Sequence, residues 1–98
     1  MRVRFHPEAV EEYRAAALHY EKRQPGLGRR FAEKIEEAIR QLSETPRRWR
    51  ILEENIRRYL VHLFPYAILY AIEGDIVYII AVMHCHRKPD YWRERMSK

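Results

Sequence analysis

The spacing of apolar residues along the first half of the chain predicts a strand followed by two helices. Polar and apolar residues alternate in Arg2–Phe5, as expected of a strand with one buried face. Pro7 suits the first turn of a helix, and apolar residues then recur at helical spacing until Gly26 interrupts the pattern. Residues 27–43 repeat the helical spacing, and Pro46 prevents its continuation. The short connection between the two helices predicts that they form an antiparallel helical hairpin.

The second half of the chain shows the pattern of strands. Residues 46–55 have no regular period and are predicted to form a loop or a short edge strand. Residues 56–64 are predicted to form a strand, with Tyr59, Val61 and Leu63 on one face and Arg58, Leu60, His62 and Phe64 on the other. Residues 66–73 and 76–85 are two further strands, joined by a two-residue turn at Gly74-Asp75. The last strand is apolar on both faces, as a central strand of a sheet is.

The order of these elements predicts the fold class. Residues 89–92 begin a short C-terminal helix, so the order is β-α-α-β-β-β followed by that helix. Because unlike elements are grouped rather than regularly alternating, we predict an α+β fold. The helical hairpin then packs on one face of a small, mainly antiparallel sheet. Residues 1–98 suit a single domain without a linker or internal repeat.

Composition and charge narrow the class of partner. The single cysteine, Cys85, cannot form an intrachain disulfide, and the N-terminus has no signal-peptide pattern, so we expect a cytoplasmic protein. The apolar stretch at residues 76–83 is too short to span a bilayer. Residues 8–45 carry 7 basic and 8 acidic side chains, whereas residues 46–98 carry 10 and 6. This excess favours an anionic partner: nucleic acid, a ribonucleoprotein or an acidic protein segment.

The most distinctive polar cluster follows the predicted central strand and consists of His84, His86, Arg87, Lys88 and Tyr91. The two histidines are two residues apart, so a strand would place them on one face. An imidazole beside cations is disfavoured from protonating, which suits a general base near neutral pH. Guanidinium groups suit phosphate. The cluster therefore predicts chemistry on, or binding of, a phosphate-containing partner.

Other chemistry at this cluster is disfavoured. Two histidines are few for a metal site, and Arg87 and Lys88 would repel a cation, so we expect no metal and no cofactor. Cys85 alternates away from His84 and His86, which disfavours a catalytic thiol paired with either of them.

A second basic cluster surrounds Trp49 and consists of Arg47, Arg48, Arg50, Arg57 and Arg58. Basic residues interleaved with an aromatic ring can bind nucleic acid, with the ring stacked on a base. Arg57 and Arg58 alternate across a strand, so one of them points toward the helices or their rim.

Structural roles are the alternatives for the aromatic and histidine residues in both clusters. Trp49 is predicted to fill the junction between helices and sheet, because a tryptophan buries much apolar area. His84 suits a hydrogen-bonded position at a strand end as well as a catalytic one. Tyr91 suits a stacking platform or proton donor, or it packs the C-terminal helix onto the sheet, as we predict for Trp92.

Taken in order, several stretches of the chain resemble the RelE/ParE superfamily of bacterial type II toxins, also called plasmid stabilisation proteins. The resemblance covers nearly the whole chain. The matching stretches are Phe5-His6-Pro7-Glu8-Ala9, Pro25-Gly26-Leu27-Gly28-Arg29-Arg30-Phe31, Pro46-Arg47-Arg48-Trp49, Arg57-Arg58-Tyr59-Leu60, Phe64-Pro65-Tyr66 and residues 81–92.

The resemblance implies one of two activities. ParE-like members inhibit DNA gyrase, and RelE-like members cut mRNA on the ribosome. The helical hairpin and Phe64-Pro65-Tyr66 favour the ParE-like group, and the absence of lysine between Lys34 and Lys88 departs from the RelE pattern. We therefore expect a toxin that inhibits gyrase, with a ribosome-dependent ribonuclease or an inactive antitoxin-binding relative as the alternatives.

The resemblance also implies site residues and a partner. In the ribonuclease alternative, Arg58 and Arg87 would steady the phosphate while His84 or His86 moves protons, with Tyr91 nearby. Target binding would fall to the remaining cations, Arg47, Arg48, Arg50, Arg57 and Lys88. The implied partner is a cognate antitoxin, whose acidic segment we expect over the helical hairpin and a sheet edge.

Overall fold

The computed structural model describes residues 1–96 and confirms the predicted α+β fold. The predicted domain extends two residues beyond this range. Two short 3-10 turns, Pro46–Arg48 and Arg93–Met96, accompany the main elements. These elements are β1 (Arg2–Phe5), α1 (Pro7–Arg23), α2 (Leu27–Glu44), β2 (Ile51–Glu53), β3 (Ile56–Leu60), β4 (Tyr66–Glu73) and β5 (Ile76–His84). Within the described range, neither helix has the length and apolar composition needed to cross a membrane.

The five strands form one sheet in the order β1-β5-β4-β3-β2. β1 runs parallel to β5, and the other neighbours are antiparallel. β1 pairs only with residues 76–79, and the chain leaves the sheet where the His6 N–H donates to the Ile79 carbonyl at 2.8 Å. The second half of β5, from Ile80 to His84, therefore has no strand on that side in the described chain.

A β-bulge in β5 reverses which side chains face the helices. Leu69 pairs with Ala81 but Tyr70 pairs with Ile79, so Ile80 is the extra residue. Before the bulge, Ile79 faces the helices, whereas after it Val82 does. An unbroken alternation would have placed odd-numbered residues on this face throughout, so the bulge shifts the pattern by one residue.

Both faces of the sheet are covered. The helix-side core contains Phe31, Ile35 and Leu42 of α2, which are fully buried against the sheet. On the opposite face, Trp92 is 1% exposed and packs in the cluster that contains Leu69. The prediction that Trp92 packs the C-terminal segment onto the sheet is confirmed.

The helical hairpin closes through a carboxylate at the start of α2. Glu21 accepts hydrogen bonds from the N–H groups of Gly26, at 3.0 and 3.1 Å, and of Gly28, at 3.1 Å. These N–H groups lie at the positive end of the helix, where a negative charge is stabilising. A Cβ atom on Gly28 would lie 2.4 Å from the Ala17 carbonyl oxygen. Glycine is therefore required for the close approach of the two helices.

The strand predicted over residues 56–64 is shorter than expected. It ends at Leu60, because the chain turns: Leu63 has a φ of 73°, and the Val61 N–H donates to the Tyr66 carbonyl. The turn places Phe64 against the helix-side core, 5.2 Å from Phe31 between ring centroids. The turn therefore packs Phe64 against the helix-side core although β3 ends four residues earlier.

Three further boundaries differ slightly from the prediction, and the first is the end of α2 at Glu44, one residue later than predicted. β5 ends at His84, one residue earlier than predicted. The C-terminal helix is a 3-10 turn that begins at Arg93 instead of residues 89–92. The aperiodic residues 46–55 contain the first 3-10 turn and the edge strand β2.

Candidate functional site

The two histidines at the end of β5 lie together, as their spacing predicted. Their ring centroids are 5.3 Å apart, and the His84 ring also packs edge-on against Tyr66 at 5.1 Å. The His86 backbone N–H donates to Nδ1 of His84 at 3.1 Å. Nδ1 is therefore an acceptor, and neutral His84 carries its proton on Nε2. His84 is half-buried, and His86 is exposed.

Glu12 of α1 organises the residues that follow the histidines. Its Oε2 accepts from the Tyr91 hydroxyl and from Nη2 of Arg95, both at 2.6 Å. Its Oε1 accepts from Nη1 of Arg95 at 3.0 Å and from the Val82 N–H at 2.9 Å. Glu12 thus satisfies a backbone group on the part of β5 that lies beyond β1.

Arg95 completes the cover of the same edge. Its side chain is 6% exposed, and its Nη1 donates to the Ile80 carbonyl at 2.8 Å. Burial lowers the pKa of Arg95, but hydrogen bonds to Glu12 and the charge of Glu12 raise it by more. Arg95 therefore stays charged, and with Glu12 it replaces the strand that is missing beside Ile80 and Val82. We name this group, Glu12, Arg95, Ile80 and Val82, the edge seal.

Tyr91 and Arg87 are tied to the edge seal. The Arg87 guanidinium lies 3.7 Å from the centroid of the Tyr91 ring and 3.5 Å from Oε2 of Glu12. Burial and the hydrogen bond to Glu12 raise the pKa of Tyr91 well above its ordinary value. The phenol is a poor proton donor near neutral pH, and it acts here as a hydrogen-bonded support for Arg87.

Arg58 lies on the other face of the sheet. It pairs in register with Leu69, which belongs to the cluster opposite the helices. His84 instead lies in register with Tyr66, which packs on the helix side. The bulge in β5 is the cause, since an unshifted alternation would bring His84 to the face of Arg58. The structure therefore brings His84, His86, Arg87 and Tyr91 together and leaves Arg58 apart.

Arg58 lines a separate cavity of about 330 Å³, which we name the sheet-face cavity. Lys88 contributes a second cation, and Arg93 at its rim forms a bidentate pair with Glu53 at 2.8 and 2.9 Å. Asp90 also pairs with Arg93, at 3.6 Å. The remaining lining residues are Leu52, Met83 and Pro89.

The second arginine cluster is partly structural. Arg57 points toward the helix-side rim, as one of the two adjacent arginines had to, and its Nη1 donates to the carbonyls of Arg47 and Trp49 at 3.0 and 2.7 Å. Trp49 packs against the helix-side core and edge-on to Tyr59 at 4.6 Å, which confirms its predicted place at the junction. Arg47 is exposed, as are Arg48 and Arg50.

Comparisons with known proteins identify the family of this chain and a solved structure with the same fold. The sequence model of the family described as "ParE toxin of type II toxin-antitoxin system, parDE" matches residues 3–89. The chain belongs to the ParE toxin family. A sequence comparison with curated proteins finds no significant match. Among solved structures, the chromosomal ParDE toxin–antitoxin system from P. aeruginosa is similar, with a TM-score of 0.76 and 15% identity over 86% of this chain and 95% of that chain.

As a member of the ParE family, this chain is a toxin of the type II class, and its fold is that of the P. aeruginosa structure. Between residues 1 and 96, no group of three or more histidine, cysteine, aspartate or glutamate side chains could hold a metal ion. Cys85 is a free, exposed thiol.

Glu12 and Arg95 are the residues of this ParE toxin that sequence patterns did not identify. In the sequence, Glu12 is one of several acidic residues near the start of a helix, and Arg95 is one of several charged residues near the C-terminal end. Their contact joins positions 83 residues apart, and no periodicity spans such a separation. The position of Glu12 in the helix is the one weak sequence signal for its role. Glu12 lies on the apolar side of α1, between the buried residues Ala9 and Ala16.

Proposed function

We propose that this ParE-family toxin inhibits DNA gyrase without cutting nucleic acid and is neutralised by a cognate antitoxin. The match to the ParE toxin family over residues 3–89 supports the gyrase target. The separation of Arg58 from His84 on opposite faces of the sheet supports the absence of ribonuclease chemistry. That separation is the observation on which the proposal depends.

Cleavage of RNA requires a proton-transferring group and a charge-stabilising group at one phosphate, each within hydrogen-bonding reach. Here Arg58 cannot share a phosphate with His84 through the sheet. Arg87 lies in the same cluster as His84, but its guanidinium is already engaged by Glu12 and by the Tyr91 ring. The Tyr91 hydroxyl donates its hydrogen bond to Glu12. The four clustered residues therefore support a rigid binding surface better than a catalytic site.

The exposed arginines supply the basic surface that a non-enzymatic inhibitor needs. Arg47, Arg48 and Arg50 precede and flank the short edge strand β2, and the described residues place no carboxylate in an ion pair with them. Their charge is therefore available to an acidic surface of the target, with long-range attraction that weakens as salt is added.

The proposal is tested by comparing two reactions of the purified protein. We expect inhibition of DNA supercoiling by purified gyrase at micromolar concentration and no cleavage of mRNA on programmed ribosomes. The triple variant Arg47→Glu/Arg48→Glu/Arg50→Glu should need at least about tenfold more protein for half-inhibition, because it reverses the attraction. The matched control Arg29→Glu/Arg30→Glu/Arg40→Glu, on the exposed side of α2, makes the same charge change elsewhere and should inhibit normally.

Two outcomes would contradict this proposal, and a third would contradict only the role of the arginine surface. Ribosome-dependent mRNA cleavage that falls ~100-fold in His84→Ala would establish the ribonuclease alternative. Activity in neither reaction would favour an inactive antitoxin-binding relative. Equal inhibition by the triple variant and the native chain would exclude the arginine surface while leaving gyrase as the target.

The antitoxin part has its own test. Addition of the product of the adjoining reading frame should form a stable complex and restore supercoiling in the inhibited reaction. A complex that forms without restoring activity would contradict neutralisation.

A further inference from the structure

The turn between β3 and β4 exposes two leucines to solvent. Leu60 ends β3 and is 60% exposed, and Leu63 lies within the turn and is 63% exposed. These are the two most exposed large apolar side chains of the described chain. They are three positions apart, so their Cα atoms lie within roughly 11 Å of each other. One exposed leucine is ordinary, but two on one short turn form an apolar contact point for a partner.

The core and the sheet both hold this turn in place. Val61 is 7% exposed, and it packs with Phe64 in the helix-side core. The Val61 N–H donates to the Tyr66 carbonyl at 2.9 Å, and the Cys85 N–H donates to the Pro65 carbonyl at 2.8 Å. The turn is therefore already ordered before any partner binds, which lowers the entropy lost on binding.

The backbone at Leu63 is unfavourable for a leucine. Its φ of 73° lies in the left-handed region, which disfavours bulky side chains and suits glycine or asparagine. Gly26 and Gly74 supply the other described turns with φ values of 88° and 62°. Because the Leu63 side chain is mostly in solvent, it gives the core little in return for this strain. Strain of this kind persists at sites that serve a contact outside the folded chain.

Positive charge lies on two sides of the leucines. On one side, the Arg48 guanidinium lies 5.0 Å from the centroid of the Trp49 ring, and that ring packs at 4.6 Å on Tyr59, the residue before Leu60. On the other side, Lys88 is exposed three residues after Cys85, which binds the turn. No ion pair within residues 1–96 involves Arg48 or Lys88.

These features select a folded, acidic protein surface as the partner. A second copy of this chain would bring the cations around the leucines against their own counterparts, which is repulsive. A nucleic acid would satisfy the cations but not the leucines, because most of its contacts involve phosphate and sugar. A segment that folds on binding brings its own apolar side chains and needs a groove, whereas here the toxin supplies the apolar side chains. The partner must therefore supply a preformed apolar pocket with acidic groups around it.

We propose that the β3–β4 turn is the apolar contact of this toxin with gyrase, and that Leu60 and Leu63 enter a pocket on the folded enzyme. Arg48 and Lys88 then meet acidic groups at the rim of that pocket. This inference rests on the gyrase target of the proposed function. It adds a contact that does not depend on charge to the attraction supplied by the arginine surface.

Two substitutions test the leucines without disturbing the backbone. Leu60→Thr keeps a residue that suits a strand, and Leu63→Asn introduces one that tolerates the left-handed region. Each variant should bind purified gyrase at least about tenfold more weakly in calorimetry without DNA, and should need correspondingly more protein for half-inhibition of supercoiling. Leu63→Asn should nevertheless unfold at the native temperature or above it, because the strain is relieved. A purely structural residue would not combine these two results.

A control variant and a change of salt separate this contact from other effects. Leu18→Gln removes a leucine that is 54% exposed on α1, and it should inhibit gyrase as the native chain does. The factor lost in Leu63→Asn should be equal at roughly 50 and 200 mM salt, because an apolar contact is not screened. The factor lost in the triple arginine variant should instead shrink as salt is added.

Several results would overturn the inference. Native inhibition by both leucine variants would exclude the turn, and a lower unfolding temperature for Leu63→Asn would show that the leucine is retained for stability. If the substitutions weakened only the binding of the product of the adjoining reading frame, or only dissociated a dimer of the toxin, the turn would serve that partner instead. If the native chain itself failed to inhibit gyrase, the proposed function would fail, a result that is distinguishable because it requires no variant.

Discussion

At the scale of single residues, the Glu12 carboxylate makes more contacts that hold the C-terminal cluster in place than any of the exposed arginines does. Glu12 accepts from Arg95, Tyr91 and the Val82 N–H, and Arg87 approaches it at 3.5 Å. A buried cation that loses its partner is far costlier than the net value of the pair, because its charge remains out of water. The positions of Arg87, Tyr91 and Arg95 therefore depend on an acidic residue of α1.

Replacement of Glu12 tests this dependence. Glu12→Gln leaves the Arg95 guanidinium charged and buried, and Glu8 at 3.4 Å is then its remaining carboxylate partner among residues 1–96. We expect a loss of about 3 kcal/mol in the free energy of unfolding, measured by urea denaturation at pH 7. Glu11→Gln is the matched control, because its pair with Arg14 is 70% exposed on both sides, and it should change stability by less than ~0.5 kcal/mol. A loss below ~1 kcal/mol for Glu12→Gln would show that the edge seal is dispensable.

At the scale of elements, the sequence pattern predicted the helices and strands whose bounds are set by residues close together in the chain. The bounds of β1, α1, α2 and β4 follow from periodicity and from Pro7, Gly26 and Gly74, so they were predictable. The bulge in β5 was not, because it depends on the pairing of β5 with β4 rather than on the residues of β5. Its consequence is large, since the one-residue shift separates Arg58 from His84.

The close contact between the two helices gives a prediction at this scale. In an isolated helix, Gly28→Ala would be favourable by about 1 kcal/mol. In this hairpin the new Cβ atom would lie 2.4 Å from the Ala17 carbonyl and 2.9 Å from Cβ of Glu21. We expect a net loss of about 1–3 kcal/mol in urea unfolding, because backbone cannot move away as easily as a side chain. Arg30→Ala, on the exposed side of α2, should be nearly neutral, and a stabilised Gly28→Ala protein would refute the contact.

At the scale of the whole molecule, the sequence allowed the fold class and the basic surface to be predicted but not the assembly of the site. The cluster of His84, His86, Arg87 and Tyr91 was predictable because these residues are neighbours in the chain. The covering of both faces of the sheet was not, since Trp92 reaches the face opposite the helices through a turn without a repeating pattern. The division of the cations between two faces follows from long-range packing.

Stability in alkaline solution is also a property of the whole molecule. Several tyrosines have raised pKa values in the folded chain, and burial raises the pKa of Tyr70 to about 12, with Arg57 partly opposing it. The folded state thus favours the neutral phenol. Its contribution is fully present below the ordinary pKa near 10 and is lost as the pH rises from about 10 to 12, by up to ~1.4 kcal/mol per pH unit.

Tyr70→Phe should remove that share of the pH dependence. Urea unfolding between pH 9 and 11 should show a shallower decline than in the native chain. At pH 7 the variant should lose about 1–2 kcal/mol, because the Pro46 carbonyl loses the 2.7 Å hydrogen bond from the buried hydroxyl. Parallel declines in the two proteins would mean that Tyr70 ionises equally easily in the folded and unfolded chains.

The half-paired fifth strand carries a hazard that the edge seal removes. A bare stretch from Ile80 to Met83 would offer apolar side chains and unpaired amides to any other strand, which is how sheets template the growth of aggregates. Because Glu12 and Arg95 occupy the Val82 N–H and the Ile80 carbonyl, an incoming strand would have to displace a buried ion pair before its first hydrogen bond. This edge of the sheet is thus protected by two side chains rather than by a sixth strand.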